Sequence, residues 1–380
     1  VRLVHLTDSS FFEALRRKLH WRGAYLLKSE HHDRKSASVY FLTMVRLKDI
    51  AAQVGVSVIT VSKAPRDAPD VSTATKSRIK LAAQQMGYVP DSTAQGLRTR
   101  TSKTFGLVIS STTNPIFARI VFAIEERAQE LGYDVLLAHT QNLAEREETC
   151  IRRLLSRRVD GLFVSPVYRL EPQARIYQEL ISRRTPVVLL GSPAPFCDAF
   201  VSVQIEELNG SYQVTRHLLQ LGHRRIAYLT GPATAPWARE RFEGYRRALR
   251  EAGLEVDDRL IFQAGSTIED GTKATLQMAG EKCDATAVQA ANDLVAVGCA
   301  TTLFHQGLRI PQDISLAGFG NVLLAEHFRV PLTTVRQPKF RLGSAAVDLM
   351  RQLIRHERAE SKRLPAELIV RESTAPPPAR

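Results

Sequence analysis

The chain has 380 residues, 44% of them hydrophobic, and a formal net charge of +13. That length holds a small head and two domains of ordinary size, and the apolar content suffices for buried cores. The basic balance suits a polyanionic partner. No apolar run approaches the ~18 to 20 residues needed to span a bilayer, and no secretory leader is recognisable. The four cysteines, Cys150, Cys197, Cys283 and Cys299, lack ligand-like spacing and read as reduced packing residues of a cytoplasmic protein.

Residues 1–43 carry RRK, HH and DRK clusters, one short apolar patch (Ala24, Tyr25, Leu26, Leu27) and no clear period. They are expected to be disordered or poorly packed. Two readings stay open for them: a start placed too far upstream of Met44, or a basic arm that adds phosphate contacts.

The stretch Arg46 to Lys63, RLKDIAAQVGVSVITVSK, is the most informative of the chain. Ile50, Ala51 and Val54 form one apolar helical face, and Gly55 tolerates the backbone of a tight turn. Val56 follows as a buried wedge. Ser57 caps a second helix, Val58 to Lys63. Two short helices pinched around a glycine make either a helix-turn-helix, whose second helix enters the DNA major groove, or an ordinary helical hairpin. Pro65 stops the second helix. Ser72 then caps a third helix, roughly Thr73 to Met86, with Ile79, Ala82, Ala83 and Met86 inside and Gly87 closing it.

From Phe105 the chain alternates strand and helix. The apolar runs 105–110, 133–137, 161–164 and 186–190 read as buried parallel strands, separated by helices near 117–131, 144–157 and 172–182. The rhythm restarts near Glu206, with helices 206–221, 237–252, 270–280 and 293–306 between strands 226–230, 260–263, 287–290 and 314–318. Two doubly wound sheets in tandem imply two lobes, with a ligand cleft at the carboxyl ends of the strands. No GxGxxG, P-loop or GxSxG fingerprint occurs, and no His/Asp/Cys constellation stands out. Neither an enzyme nor a cofactor or metal site is therefore expected. A cytoplasmic sugar-binding protein without DNA function would account for the lobes but leave 45–100 idle.

The phrases KDIAAQVGVSVITVSK, VSTATKSRI and MGYVPDSTAQGLRT resemble the head and hinge of the lactose-repressor (LacI/GalR) family of bacterial transcription regulators. SSTTNPIFARI, RRVDGLFVSP, LGHRRIAYLTGP, ARERFEGYRRAL, AANDLVAVG, RIPQDISLAGFGN and PLTTVRQPKFRLG resemble its core and the related periplasmic sugar-binding proteins. The resemblance covers about residues 45 to 375. It implies an all-α helix-turn-helix head over 44–90, a hinge helix or linker over 91–103, a two-lobed α/β periplasmic-binding-protein-like core over 104–375 and a disordered tail over 376–380. It further implies three crossings between lobes, the first lobe comprising 104–204 plus 336–360 and the second 205–335 plus the last strand. The implied function is a nucleoid-associated transcription regulator, a repressor. Its expected partners are a pseudo-palindromic double-stranded DNA operator, a second copy of the chain, and a small-molecule effector that is a sugar or sugar acid.

Site residues follow by the same resemblance. Ser57 caps the reading helix, and Val58, Ile59 and Lys63 face bases. The first two can only pack on thymine methyls, whereas Lys63 can donate to guanine O6 and N7. Lys48, Thr60 and Ser62 suit phosphates. Leu97 matches a leucine that relatives wedge into the minor groove, its alternative being a solvent-facing linker residue. Asn114, Phe117, Arg241 and Asn292 are the implied effector contacts. Three have a plainer alternative: core for Phe117, a helix cap for Asn292 or, preferably, Asp293, and a surface ion pair with Glu240 or Glu243 for Arg241. The chain departs from the family at Pro65-Arg66, at Leu190-Gly191, and at Gly318-Phe319-Gly320-Asn321, where most sugar-responsive relatives carry a ligand-binding Asp. Losing that carboxylate while keeping Arg241 points either to an acidic ligand such as a sugar acid or, equally, to an effector that is weakly held or absent. The tail RESTAPPPAR has no leucine heptads, so no tetramer-forming coiled coil is expected.

Overall fold

The structure, a computed structural model, describes residues 45–64, 68–89 and 101–378. Leu97, Pro65, Arg66 and the segment 1–43 lie outside the described residues. The chain divides into two compact units at Ser92 and Thr93.

In the head, α1 (Leu47–Val54), α2 (Val58–Lys63) and α3 (Thr73–Gln85) follow in order. Gly55 closes α1 with a left-handed φ of 73°, a conformation glycine adopts without a Cβ penalty. Ser57 and Ser72 each accept a hydrogen bond from the backbone N–H three residues on, from Thr60 and Thr75 respectively. Those side chains satisfy donors that a helix start leaves unpaired. Ile50, Ala51, Val54, Val61, Ile79 and Ala82 are buried together, with Val56, Ala83 and Met86 packed against them. Arg78 ties α3 back to α1 through the Val54 carbonyl at 2.9 Å.

The core begins with β1 (Thr104–Ile109), α4 (Pro115–Glu130), β2 (Asp134–His139), α5 (Ala144–Ser156), β3 (Gly161–Val164), α6 (Arg175–Ser182), β4 (Val187–Leu190) and β5 (Val201–Ile205). It continues with α7 (Glu207–Gln220), β6 (Ile226–Thr230), α8 (Pro236–Glu251), β7 (Ile261–Gln263), α9 (Ile268–Gly280), β8 (Ala287–Ala290), α10 (Asp293–His305) and β9 (Ser315–Ala317). The last elements are α11 (Leu323–Glu326), β10 (Thr334–Arg336), α12 (Lys339–Ile354), β11 (Lys362–Leu364) and β12 (Glu367–Ile369). α4 starts two residues before its expected position because Asn114 caps it and Pro115 takes the first turn, where a missing N–H costs nothing.

Strands of the first lobe lie in the order β11-β5-β4-β3-β1-β2, all parallel, and those of the second in the order β7-β6-β8-β9, also parallel. β10 and β12 form a separate antiparallel pair. The chain therefore crosses between lobes near 206, 337 and 365, as the resemblance implies, and the first lobe reaches Leu364 rather than 360. One buried cluster spans both lobes, from Phe105 and Phe163 to Tyr228, Phe319 and Val335. α9 and α10 approach so closely that a Cβ on Gly298 would stand 2.0 Å from the Ile268 carbonyl oxygen. The end of the chain stays on the second lobe: the Leu316 N–H donates to Ser373 O at 2.8 Å. Even within the expected tail, Pro377 lies beside Gly222.

Candidate functional site

Two surfaces bear on function, one in each unit. On the head, α2 buries Val61 and turns the opposite side outward. Val58 is 45% exposed and Ile59 68% exposed, so two branched apolar side chains stand in solvent on a helix of one and a half turns. Exposed apolar side chains at such a site mark a contact surface more than a core. Lys48 is exposed on α1, while Thr60 exchanges a 2.8 Å hydrogen bond with the Ser57 hydroxyl. Lys63 makes an ion pair with Asp70 in the loop before α3.

In the core, a cavity of about 360 Å³ opens between the lobes, the size of a small-molecule site. Asn114, Phe117, Arg241 and Asn292 all line it, so the four residues expected as effector contacts converge although they come from three separate segments. Asn114 and Asn292 also cap α4 and α10, accepting from Ile116 N at 3.2 Å and Val295 N at 2.9 Å. Asp293 does not cap, contrary to expectation. Its carboxylate is fully buried, accepts the Val322 N–H at 2.9 Å and the Thr334 hydroxyl at 2.5 Å, and is pushed above the usual carboxylate range by burial.

Arg241 departs from its alternative reading as well. It pairs with neither Glu240 nor Glu243. Its Nε and Nη2 donate to one oxygen of Glu207 at 2.8 and 2.7 Å, both residues being buried, and its Nη1 donates to the Ala291 carbonyl at 2.5 Å. The guanidinium lies 3.7 Å from the Phe319 ring centroid and 4.6 Å from that of Trp237, near enough for cation–π attraction. Glu207 in turn accepts from Gln337 Nε2 at 3.3 Å. The positive charge that suggested an acidic ligand is thus already matched by a carboxylate. Asn321, standing where the missing Asp would be, accepts from Arg371 at 2.7 Å and is not part of the cavity wall.

Sequence reasoning did not anticipate Glu207, Trp237, Tyr168, Ser192 or Gln337 on the wall. Tyr168 belongs to a segment, 165–168, that has no regular structure and is held from behind. The buried Glu147 accepts the Val167 N–H at 2.7 Å and the Tyr177 hydroxyl at 2.8 Å, and pairs with Arg169. Tyr168 donates to the Ser192 carbonyl at 2.7 Å. Glu207, Trp237, Tyr168 and Ser192 fall outside the phrases that carry the family resemblance, and no period distinguishes them from core or surface residues. Among the described residues no cluster of His, Cys, Asp and Glu fits a metal ion, and no helix is long and apolar enough to cross a membrane.

Comparison with known proteins finds matches for both the head and the core. Residues 46–91 match the model of bacterial regulatory proteins of the lacI family, and residues 215–374 match a periplasmic binding protein-like domain. The chain is 32% identical over 337 residues to the HTH-type transcriptional repressor PurR of Photobacterium profundum, covering 87% of this chain and 98% of that one. It is 31% identical over 334 residues to the HTH-type transcriptional repressor CytR of Escherichia coli, covering 87% and 97%. Among solved structures, the Lac repressor dimer bound to operator and the anti-inducer ONPF aligns with a TM-score of 0.79 at 30% identity, over 88% of this chain and 100% of that one. The transcriptional regulator CelR in complex with cellobiose aligns with a TM-score of 0.67 at 31% identity, over 87% and 99%.

Proposed function

Because the chain belongs to the lacI family of bacterial regulatory proteins, and is a DNA-binding transcription regulator controlled by a small molecule, we propose that its effector is a neutral hydroxylated ring, a sugar or glycoside. The observation that carries this reading is the Arg241–Glu207 pair. An arginine whose charge is already compensated offers directional N–H groups but little net attraction for an anion. Phe117, Trp237 and Tyr168 supply apolar faces, while Asn114, Ser192 and Asn292 supply polar edges, a mixture suited to a ring that is apolar on its faces and hydroxylated at its rim. The neighbour bound to cellobiose is consistent in ligand class.

On the DNA side, Val58, Ile59 and Lys63 read base edges, and Lys48, Thr60 and Ser62 address phosphates. A single head covers one half-site, so the working species is a homodimer on a pseudo-palindromic operator. Repression is the expected output, in keeping with the relatives named as repressors, and the cytoplasm is where such an operator lies. Titration calorimetry against a panel of neutral hexoses, disaccharides and hexuronates tests the effector class. A neutral member is expected to bind most tightly. If a hexuronate binds more tightly than its parent hexose, the reading of the cavity is wrong.

A further inference from the structure

The ammonium of Lys63 does not stand free over the reading surface. Its Nζ donates to Asp70 Oδ2. Lys63 is the last residue of α2 and lies one turn beyond Ile59, on the same helical face. Asp70 precedes α3, and the backbone that follows it is held. The Val71 N–H closes a turn onto Ala68 O at 3.2 Å, Val71 is buried beside it, and Ser72 caps the next helix. The side chains of Lys63 and Asp70 remain 43% and 54% exposed, so both can be reached by a third group.

We propose that Asp70 is a specificity-determining residue, and that Lys63 and Asp70 act as one unit reading a guanine–cytosine pair. This rests on the assignment of α2 as the reading helix. A lone lysine is a compact charge on a flexible stem and can settle on whichever phosphate is nearest, which adds affinity without sequence information. Pairing with Asp70 changes both properties. The pair has no net charge to give to the backbone. Yet an ammonium has three N–H donors, so Lys63 can keep Asp70 and still donate to guanine O6 and N7. The carboxylate beside it can accept from cytosine N4, so donor and acceptor stand together as that base pair presents acceptor and donor in the major groove. Asp70 also repels phosphates, which penalises misplaced docking. The same hydrogen bond holds the Asp70 carboxyl below its usual range, which keeps it an acceptor at neutral pH.

The test uses the full chain. A duplex is enriched by the wild-type protein from a random pool, and its base pairs are then varied singly in anisotropy titrations over a range of salt. Asp70→Asn is expected to bind a random duplex of equal length about tenfold more tightly, with a salt slope steeper by about 0.9 for the one phosphate newly engaged. It is also expected to lose its preference at one guanine–cytosine position. Both effects should vanish in a Lys63→Ala background, and Asp70→Glu should restore the preference in part. Unchanged slope and preference in Asp70→Asn overturn the proposal, as do changes that persist without Lys63. If the wild-type chain itself enriches no sequence, the reading of α2 fails first, an outcome distinct from either.

Discussion

Replacing Glu207 by glutamine isolates the electrostatics of the cavity. In the wild type both Arg241 contacts of 2.7 and 2.8 Å end on one Glu207 oxygen, with each side chain nearly excluded from water. Glutamine keeps an acceptor but removes the charge, leaving the guanidinium with the Ala291 carbonyl and two ring faces. Removing one partner of a buried pair costs about 3–5 kcal/mol, and the retained acceptor puts this variant near the lower end. The sharper readout is ligand choice. An uncompensated charge about 4 Å from a ligand carboxylate, at an effective dielectric of about 20, is worth about 4 kcal/mol. Desolvation of the ligand takes back a large part, so the affinity ratio of a hexuronate to its parent hexose is expected to rise about tenfold to a hundredfold over wild type. Calorimetry with both ligands measures the ratio, and urea unfolding measures the stability. The double variant Glu207→Leu with Arg241→Met should recover most of the lost stability, because an apolar pair of similar shape replaces the ions. An unaltered ratio in Glu207→Gln would refute the argument that Glu207 neutralises the site.

Ile59→Ala should leave the head's melting temperature nearly unchanged, since Ile59 is 68% exposed, while weakening binding to the enriched duplex. Replacing the contacted thymine by uracil should weaken the wild type and not the variant, because only the methyl is lost. Gly298→Ala should lower the unfolding free energy of the core by about 1–3 kcal/mol in urea titrations, as its methyl would meet the Ile268 carbonyl oxygen at 2.0 Å. Lys339, half-buried and donating to the Gly320 and Asn321 carbonyls, is pushed down to about 8 chiefly by burial. Its unfolded form binds the proton more tightly, so stability should rise as pH rises from about 8 towards the ordinary lysine value of 10.5. Lys339→Met should flatten that rise in melting curves; a rise of equal size in the variant would assign it to another group.

Much of the fold was legible because its signals are local. Ser57 and Ser72 announce two helix starts, Gly55 a left-handed turn, and the apolar runs at 161–164, 226–230 and 287–290 are strands to the residue. β5 was not anticipated, since its five residues alternate Val, Ser, Val, Gln, Ile and sit at a lobe crossing with no helix in front. The site was legible only in part. Asn114 and Asn292 could be placed because a cap at the carboxyl end of a strand faces the cleft by topology. The partner of Arg241 could not, because Glu207 lies 34 positions away and meets it only when α7 packs on α8. The local candidates Glu240 and Glu243 share its helix, but they stand one and two positions away, spacings at which helical side chains do not face each other. For the same reason the missing Asp near 321 suggested a positive cavity. Counting charges along a motif omits the one that tertiary packing brings in.

That packing also explains how a ligand in the cavity can be felt beyond it. Glu207 is the first residue of α7, immediately after β5 leaves the first lobe, and Gln337 immediately follows β10, where the chain returns. The hydrogen bonds Arg241–Glu207 and Glu207–Gln337 therefore join the cavity wall to two of the three crossings. Lys339, two residues further on, grips the Gly320 and Asn321 carbonyls of the second lobe from α12 in the first. A ligand group that competes for Arg241 N–H acts on the crossing segments directly, and its coupling to lobe movement equals the difference in its affinity for the two lobe arrangements. A buried ion pair adds little net stability over an apolar pair. Set at the crossing, it adds to the apolar cluster shared by the lobes a few directional contacts for which a ligand in the cavity would compete.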